Sequence, residues 1–224
     1  MDSVASDSAV FFEHSTAWRD LHVLLANGLR HPDEQFQAAL ETGSFESQLA
    51  TLLSDVDADL AVSLTPPSER DTALTMSYVD LFEGGRKPHA PPAESPYLAW
   101  YDRDDGGLLN GPSAAEMRER YQAMGMSIPD AYPPDHIALL LEYGSLLLES
   151  NERDAYRSFV RTHFEWLPAF RRAVDIAAAD APIYRWLALL VDELFVVVRG
   201  RLDIEGPISS EIERMVERVS SSHA

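Results

Sequence analysis

Apolar residues recur along most of this chain with the spacing of α-helices. The clearest stripe covers residues 183–198, where apolar side chains fall at i, +3, +4, +7, +8, +11, +12 and +15. Similar stripes cover residues 137–148 and 156–167, and earlier ones cover 11–29 and 74–82. Each stripe would occupy one face of a helix and turn that face toward a core. The pattern therefore predicts a series of amphipathic helices.

Capping residues indicate two more helices. Ser44 is a candidate N-cap for a helix that reaches about residue 53. Ser113 and Glu116 have the spacing of a capping box, which predicts a helix from there toward Met124. No run of alternating β-branched residues indicates a strand. We therefore predict an all-α fold, organised as a single globular helical domain over residues 1–224.

An irregular stretch rich in proline and glycine separates an N-terminal from a C-terminal group of helices. It covers residues 84–112 and contains Gly84-Gly85, Pro88, Pro91-Pro92, Pro96 and Gly106-Gly107. Both glycine pairs are interpreted as turns, because neither has the glycine, lysine and Ser/Thr spacing of a phosphate-binding loop. Long ordered connections in compact domains are commonly functional, so we expect this stretch to have a functional role.

The chain is strongly acidic. It has 37 Asp and Glu against 18 Lys and Arg, a formal charge of −19, and Lys87 is its single lysine. This balance argues against nucleic acid as a partner, because phosphates require a basic surface. Abundant acids with so little lysine resemble the cytoplasmic proteins of salt-loving microbes, so we interpret the chain as halophilic. The absence of cysteine excludes disulfides, thiolate metal sites and a cysteine nucleophile.

The pattern indicates a soluble, cytoplasmic protein with no membrane insertion. The first thirty residues have no basic segment of the kind that begins a secretory signal. The longest apolar runs cover residues 186–191 and 194–198, and two acids separate them. Both runs are far shorter than the roughly 20 residues that span a bilayer.

The segment Tyr132-Pro133-Pro134-Asp135-His136-Ile137 places an acid and a histidine before an apolar run. We expect Asp135 on the first turn of a helix, where its carboxylate would complement the helix dipole. A catalytic metal would need further ligands, but positions 139 and 140 hold leucines, and His163 lies in an apolar stripe. We therefore expect no metal and no cofactor. A metal-dependent hydrolase that uses Asp135, His136 and His163 remains an alternative.

Four short motifs follow one another along the chain. They are Tyr78-x-x-Leu81-Phe82-x-Gly84, Ala90-Pro91-Pro92-x-Glu94-Ser95-x-Tyr97, Pro134-Asp135-His136-Ile137 and Phe159-x-x-x-His163-x-x-Trp166-x-Pro168-x-Phe170. This set closely resembles the TorD/DmsD/NarJ family of cytoplasmic chaperones that assemble molybdoenzymes, over roughly residues 74–198. One departure is Ala93, which stands where many relatives have a tryptophan that forms one wall of a groove.

The resemblance implies a non-catalytic helical chaperone. Such a protein binds the twin-arginine signal peptide and the apo-form of a molybdopterin oxidoreductase subunit, of the dimethyl sulfoxide, trimethylamine N-oxide or nitrate reductase type. It aids cofactor insertion and delays export by the twin-arginine (Tat) pathway. The resemblance implies a peptide-binding surface of Tyr78, Leu81, Phe82, Pro92, Ser95, Asp135 and His136, and a structural motif of Pro134, His163, Trp166 and Phe170.

The chemistry of the implied ligand suits these residues. A twin-arginine leader is a basic pair followed by an apolar stretch, so its receptor needs a desolvated carboxylate beside an apolar surface. Asp135 would supply the carboxylate, and Tyr78, Leu81 and Phe82 part of the apolar surface. A helical adaptor for a different protein partner is the second alternative. Both a monomer and a domain-swapped dimer, with residues 84–112 as the hinge, remain open.

Overall fold

The protein is described here from a computed structural model. The structure describes residues 2–63, 65–69, 73–84, 87–99, 109–177 and 180–221. Of the two glycine pairs interpreted as turns, Gly85 and both members of Gly106-Gly107 lie outside the described residues. Gly84 has a φ of +79°, a left-handed conformation that suits glycine at the turn that follows a helix.

The described residues form twelve α-helices and one 3₁₀ helix, and they contain no β-sheet. In chain order the helices are α1 (Asp2–Glu13), α2 (Ser15–Gly28), α3 (Glu34–Thr42), α4 (Ser44–Val56), α5 (Ala58–Ser63), α6 (Leu74–Phe82), the 3₁₀ helix (Ser95–Tyr97), α7 (Pro112–Ala123), α8 (Ile137–Glu149), α9 (Arg153–His163), α10 (Leu167–Ala177), α11 (Pro182–Arg201) and α12 (Ser209–Ser221). The all-α prediction is confirmed.

Helix α11 lies at the centre of the molecule. Leu187, Leu190, Val191 and Leu194 on it have no exposed surface. It packs against α10 and also contacts α1 and α2, and α12 packs on α10 and on the 3₁₀ helix. One contiguous cluster of buried side chains extends from Phe11 to Val219. This cluster supports the single domain over residues 1–224, which stays a prediction.

Helices α2 and α8 pack along each other and approach closely at Gly144. A Cβ atom at that position would lie 3.0 Å from a ring carbon of His22. The His22 ring is fixed on both sides, because its Nδ1–H donates to the Trp18 carbonyl at 2.8 Å and its Nε2 accepts from the Tyr156 hydroxyl at 3.0 Å. Burial lowers the pKa of His22 to about 4, so the ring is neutral near pH 7.

The predicted helix over residues 11–29 is two helices, with a break at His14. In a straight helix, positions 11 and 18 would lie about 10 Å apart along the axis. The break instead stacks the rings of Phe11 and Trp18 with their centroids 4.8 Å apart, and Phe11 also stacks on Tyr156 at 5.7 Å. The break in the helix therefore brings these aromatic rings into contact.

The predicted helix over residues 156–167 also ends early, because α9 stops at His163 and α10 begins at Leu167. Pro168 has no N–H to donate to the carbonyl of Phe164, so a continuous helix would leave that carbonyl without its usual partner. The buried Arg199 side chain supplies the bond, with Nη1 3.2 Å from the Phe164 oxygen. Pro168 prevents a continuous helix, and the hydrogen bond from Arg199 stabilises the break between α9 and α10.

Ser44 is not the N-cap of α4. Gly43 occupies that position with a φ of +72°, and it also ends α3. Glycine adopts this conformation without steric cost, which allows two helices to meet at one residue. The Ser44 hydroxyl instead contacts the Ala39 carbonyl at 3.3 Å.

The remaining stripes are confirmed as α6, α8 and α11, and the helix expected toward Met124 is α7. Helices α3, α5, α10 and α12 were not predicted from the sequence. Within the described part of the chain, no helix has both the length and the apolar character needed to cross a membrane.

Candidate functional site

Residues 92–95 of the irregular stretch pack against the start of α8 and bring two of the motifs together. The Ile137 N–H donates to the Pro92 carbonyl at 2.8 Å, and the Glu94 N–H donates to the Asp135 carbonyl at 3.1 Å. Ala93 and His136 form an isolated antiparallel bridge between these two bonds. Two segments that are about forty residues apart therefore share backbone hydrogen bonds.

Asp135 is fully buried and lies just before α8, not on its first turn as the sequence suggested. Its Oδ2 accepts from the Ser95 N–H at 2.6 Å and from the Ser95 hydroxyl. Ser95 Oγ accepts in turn from the Gly111 N–H at 3.0 Å. Burial raises the pKa of the Asp135 carboxyl above its ordinary value, and the bonds from Ser95 oppose this effect. Its Oδ1 has no hydrogen-bond partner among the described residues.

His136 caps α8 in place of Asp135. Its Nδ1 accepts from the Ala138 N–H at 3.2 Å, so the ring proton lies on Nε2. Nε2 is 3.3 Å from the Tyr78 hydroxyl, which reaches the Leu29 carbonyl at 3.4 Å. Burial, with a smaller contribution from Arg30, lowers the pKa of His136 to about 3. A neutral imidazole therefore connects α6, α8 and the end of α2.

A second buried carboxylate, Glu94, connects the irregular stretch to α9 and α7. Its Oε2 accepts from His163 Nδ1–H at 2.8 Å and from the Ser113 hydroxyl. Burial raises the pKa of Glu94 above its ordinary value, the His163 bond opposes this, and Asp135 adds to it. Glu116 lies 3.6 Å from His163 Nε2 and pairs with Arg120 at 2.6 Å. Glu94 is thus the centre of a polar cluster.

Ser113 does not form the predicted capping box with Glu116. The N-cap of α7 is Gly111, and no side chain caps the helix. The Ser113 hydroxyl binds Glu94 instead, and Glu116 pairs with Arg120 of the same helix and lies 3.6 Å from His163 Nε2. Without the hydroxyl of Ser113, the buried carboxylate of Glu94 would lose one of its hydrogen bonds at a high cost in free energy.

Aromatic rings pack beside this polar cluster. The Trp166 indole N–H donates to the His163 carbonyl at 2.9 Å. The Tyr97 ring lies 5.0 Å from that of Trp166, and Phe170 lies 5.4 Å from Trp166 and 5.8 Å from Phe82. The fourth motif therefore holds the irregular stretch in place from the other side. Pro134, the remaining member of the structural motif, is also buried and immediately precedes Asp135.

All the residues expected to bind a peptide lie together but are enclosed. Tyr78, Leu81, Phe82, Pro92, Ser95, Asp135 and His136 are all buried. Leu81 also accepts a backbone hydrogen bond from the Ala90 N–H at 2.7 Å, which fixes the entry of the irregular stretch. In this arrangement a peptide would contact Asp135 only after residues 92–95 move away. Tyr78, Leu81 and Phe82 are part of the hydrophobic core.

Two residues of this cluster were not expected from the sequence. Glu94 lies in a motif, yet it was not singled out, and Ser113 was taken for a helix cap. The available signal was an acid between two prolines, Pro92 and Pro96, in a stretch with few charges. A carboxylate in such surroundings is commonly buried with partners.

The three residues of the hydrolase alternative have separate partners. Asp135 binds Ser95, His163 binds Glu94, and both ring nitrogens of His136 are engaged within the protein. The described residues include no group of three or more His, Asp or Glu side chains placed to hold a metal ion. The hydrogen bonds of this cluster hold backbone segments in place.

Comparison with known proteins identifies relatives for the central part of the chain. The family model described as nitrate reductase delta subunit matches residues 33–172. This range contains the irregular stretch, the start of α8 and all the members of the polar cluster.

Curated relatives cover a shorter part. The chain is 32% identical over 111 residues to a chaperone protein TorD from Vibrio cholerae serotype O1 (strain ATCC 39541 / Classical Ogawa 395 / O395), which is 43% of this chain and 48% of the relative. The same values apply to the chaperone protein TorD of strain M66-2. The chain thus spans about half the length of the curated relatives it matches.

Proposed function

We propose, since this chain belongs to the nitrate reductase delta subunit family, that it is a chaperone for the maturation of a molybdoenzyme. It binds the twin-arginine signal peptide and the apo-form of a molybdopterin oxidoreductase subunit in the cytoplasm. It holds the subunit there until the cofactor is inserted and so delays its export. The role is one of binding and release, without catalysis by the chaperone itself.

The observation that carries this proposal is the family match over residues 33–172, which contains every motif residue named above. The names of the curated relatives, chaperone protein TorD, favour the same role. The structure adds a physical reason why the four motifs occur together. They form one buried unit in which Glu94 and Asp135 fix the irregular stretch against α8 and α9.

The negative net charge of the chain favours binding of a basic ligand. The formal charge of −19 attracts a positively charged leader at low ionic strength. Near molar salt the screening length falls to about 3 Å, and only direct contacts between charged groups then contribute. Asp135 has a buried oxygen without a partner among the residues that the structure describes, which a guanidinium could use if Ser95 were displaced. We therefore assign the leader arginines to Asp135 within this proposal.

A peptide titration tests the function. We expect the purified protein to bind the leader peptide of a molybdoenzyme subunit, measured by calorimetry in 0.1 M and in 1 M salt. A leader in which the two arginines are replaced by glutamine should bind more weakly in both solutions. No binding in either salt to such leaders, nor to the whole apo-subunit, would contradict the proposal.

Asp135→Asn tests the contact with the arginines. Loss of the charge should weaken leader binding by about 1–3 kcal/mol, since charge-assisted hydrogen bonds contribute that much. Calorimetry gives the affinity, and circular dichroism melting shows whether the variant is folded. Asp55→Asn is the matched control, because Asp55 is an exposed acid of α4 and loses the same charge. Equal affinities for wild type and Asp135→Asn would refute this role.

A further inference from the structure

An open groove lies at the first turn of α6, separate from the buried motif residues on the same helix. It has a volume of about 650 Å³ and lies between the end of α3, the start of α6 and Ile183 of α11. Leu40, Leu74 and Ile183 supply its apolar surface, and Met76 lies on it with 57% of its surface exposed. This volume is in the range of pockets that hold ligands, roughly 300–1,000 Å³.

The described residues that line this groove carry negative charge and no positive charge. Gln37 and Glu41 of α3 line it, and Glu34 continues the same helix face at i, i+3 and i+7 spacing. Glu41 is exposed and makes no ion pair with any described residue. None of the described lining residues is basic. The groove therefore combines an apolar floor with an acidic wall.

Met76 suits a variable apolar ligand. Methionine side chains are flexible and polarisable, and they adapt to apolar groups of different shapes. The N-cap residue of α6, Ala73, makes no side-chain cap to the first turn of the helix. These features favour an apolar peptide segment over a small polar molecule.

A second open cleft offers a useful contrast. Its apolar lining is Met126, Ile128, Tyr132 and Pro134, and its charged lining residues are Arg118 and Asp130. Met126 is 43% exposed, so it is similar to Met76 in type and accessibility. The charges of Arg118 and Asp130 offset each other, whereas Glu41 is the charged residue among the described lining of the first groove. The two clefts therefore have similar apolar character, and the first one is the more acidic.

We infer that the groove between α3 and α6 binds the apolar stretch of the basic leader peptide. The inference rests on the proposed function, and it places this part of the contact outside the buried motif residues. The acidic wall admits a peptide with positive charge, and Leu40, Leu74, Met76 and Ile183 bury its apolar side chains. The arginine pair and the apolar stretch of one leader then contact two different places on the chaperone.

A double-mutant cycle tests this assignment. The probe is a synthetic labelled peptide with two adjacent arginines followed by about ten apolar residues, the usual length of an apolar signal region. Met76→Gln should weaken its binding about fivefold in fluorescence anisotropy, because less apolar surface is buried. Met126→Gln is the matched control and should leave the affinity unchanged. A second peptide, in which serines replace the apolar residues, should bind wild type and Met76→Gln equally.

Disulfide trapping supplies an independent measurement. The chain has no cysteine, so Met76→Cys introduces a single thiol. We expect this variant to form a mixed disulfide with a leader whose apolar stretch carries a cysteine activated as a disulfide with a small aromatic thiol, which leaves on exchange, and Met126→Cys to form much less. Circular dichroism melting of each variant verifies that it is folded.

The outcomes separate the inference from the proposed function. If wild type and Met76→Gln bind the probe equally while wild type still discriminates the arginine pair, the groove assignment is wrong and the chaperone function stands. If wild type binds no leader at all, the function fails and the assignment fails with it. If Met76→Cys oxidises to a dimer and the leader does not compete, a second copy of the chain occupies the groove and the assignment is overturned.

Discussion

At position 136 one imidazole ring joins three parts of the chain. Its Nδ1 caps α8 through the Ala138 N–H, and its Nε2 reaches the Tyr78 hydroxyl, which continues to the Leu29 carbonyl. The cap requires a neutral ring, because a protonated Nδ1 cannot accept a hydrogen bond. The structure of the candidate site thus depends on the protonation state of a single side chain.

This dependence predicts a specific effect of pH on stability. The pKa of His136 is about 3 in the folded protein and about 6.5 when unfolded. Between these values the unfolded state binds the proton and the folded state does not. The contribution is therefore fully present above pH 6.5 and is lost as pH falls toward 3, by about 1 kcal/mol per pH unit.

His136→Asn isolates this contribution, since asparagine also accepts a bond at an N-cap and does not titrate. The unfolding free energy of wild type relative to His136→Asn should fall by about 1 kcal/mol per pH unit from pH 6 to pH 4. Urea denaturation at several pH values measures it. Parallel curves for the two proteins would show that the ring is protonated in the fold.

At the scale of elements, helix periodicity predicted the helices whose apolar face is continuous in the local sequence. The stripes of α6, α8 and α11 are continuous because one face of each helix contacts the core along its length. The breaks at His14 and after His163 depend on the stacking of Trp18 on Phe11 and on the bond from Arg199, which local sequence does not display. Similarly, the hydroxyl of Ser113 has the spacing of a cap but binds Glu94.

The same distinction applies to the candidate site. The motifs identified which residues come together, and the structure places them in one cluster. Periodicity and spacing could not show that Asp135 and His136 are enclosed, because enclosure results from the backbone bonds to Pro92 and Glu94. Those bonds depend on how a stretch without regular periodicity folds back over the core.

The close packing of α2 on α8 can be tested with two glycines. Gly144→Ala should destabilise the protein by about 1 kcal/mol or more, because the new Cβ would lie 3.0 Å from the His22 ring, which two hydrogen bonds hold in place. Urea denaturation gives the free energy of unfolding. The cost of the contact exceeds the gain in helix propensity from alanine.

Gly200→Ala is the matched control in α11, because a Cβ there meets no atom within 4 Å. This variant should be slightly more stable than wild type, by up to about 1 kcal/mol, since alanine is the better helix former. If the two variants change stability by the same amount and in the same direction, His22 does not limit the approach of α2 and α8.

The whole molecule carries a net charge that opposes its own compact state. A formal charge of −19 on 224 residues produces repulsion that unfolding relieves. Salt reduces this repulsion, since the screening length falls from about 10 Å at 0.1 M to about 3 Å at 1 M. The acidic composition thus has a direct consequence for stability.

We expect the free energy of unfolding to increase by roughly 1 kcal/mol or more as sodium chloride rises from 0.05 M to 1 M, because like charges are screened. Urea denaturation measures this, since urea adds no ions. Below about 0.2 M, sodium chloride and sodium thiocyanate should give equal increments, because screening does not depend on the identity of the ion. A stability that is independent of salt would show that repulsion between the carboxylates is negligible.

The central position of α11 has a consequence for synthesis of the chain. Helices α2 and α10 precede α11 and contact it, so they leave the ribosome before the helix that covers part of their surface. Until residue 201 emerges, the apolar surfaces meant for Leu187, Leu190 and Leu194 stay open to water and to other nascent chains. We propose that this protein covers the surfaces of unfinished subunits, and its own apolar surfaces stay exposed until α11 has been synthesised.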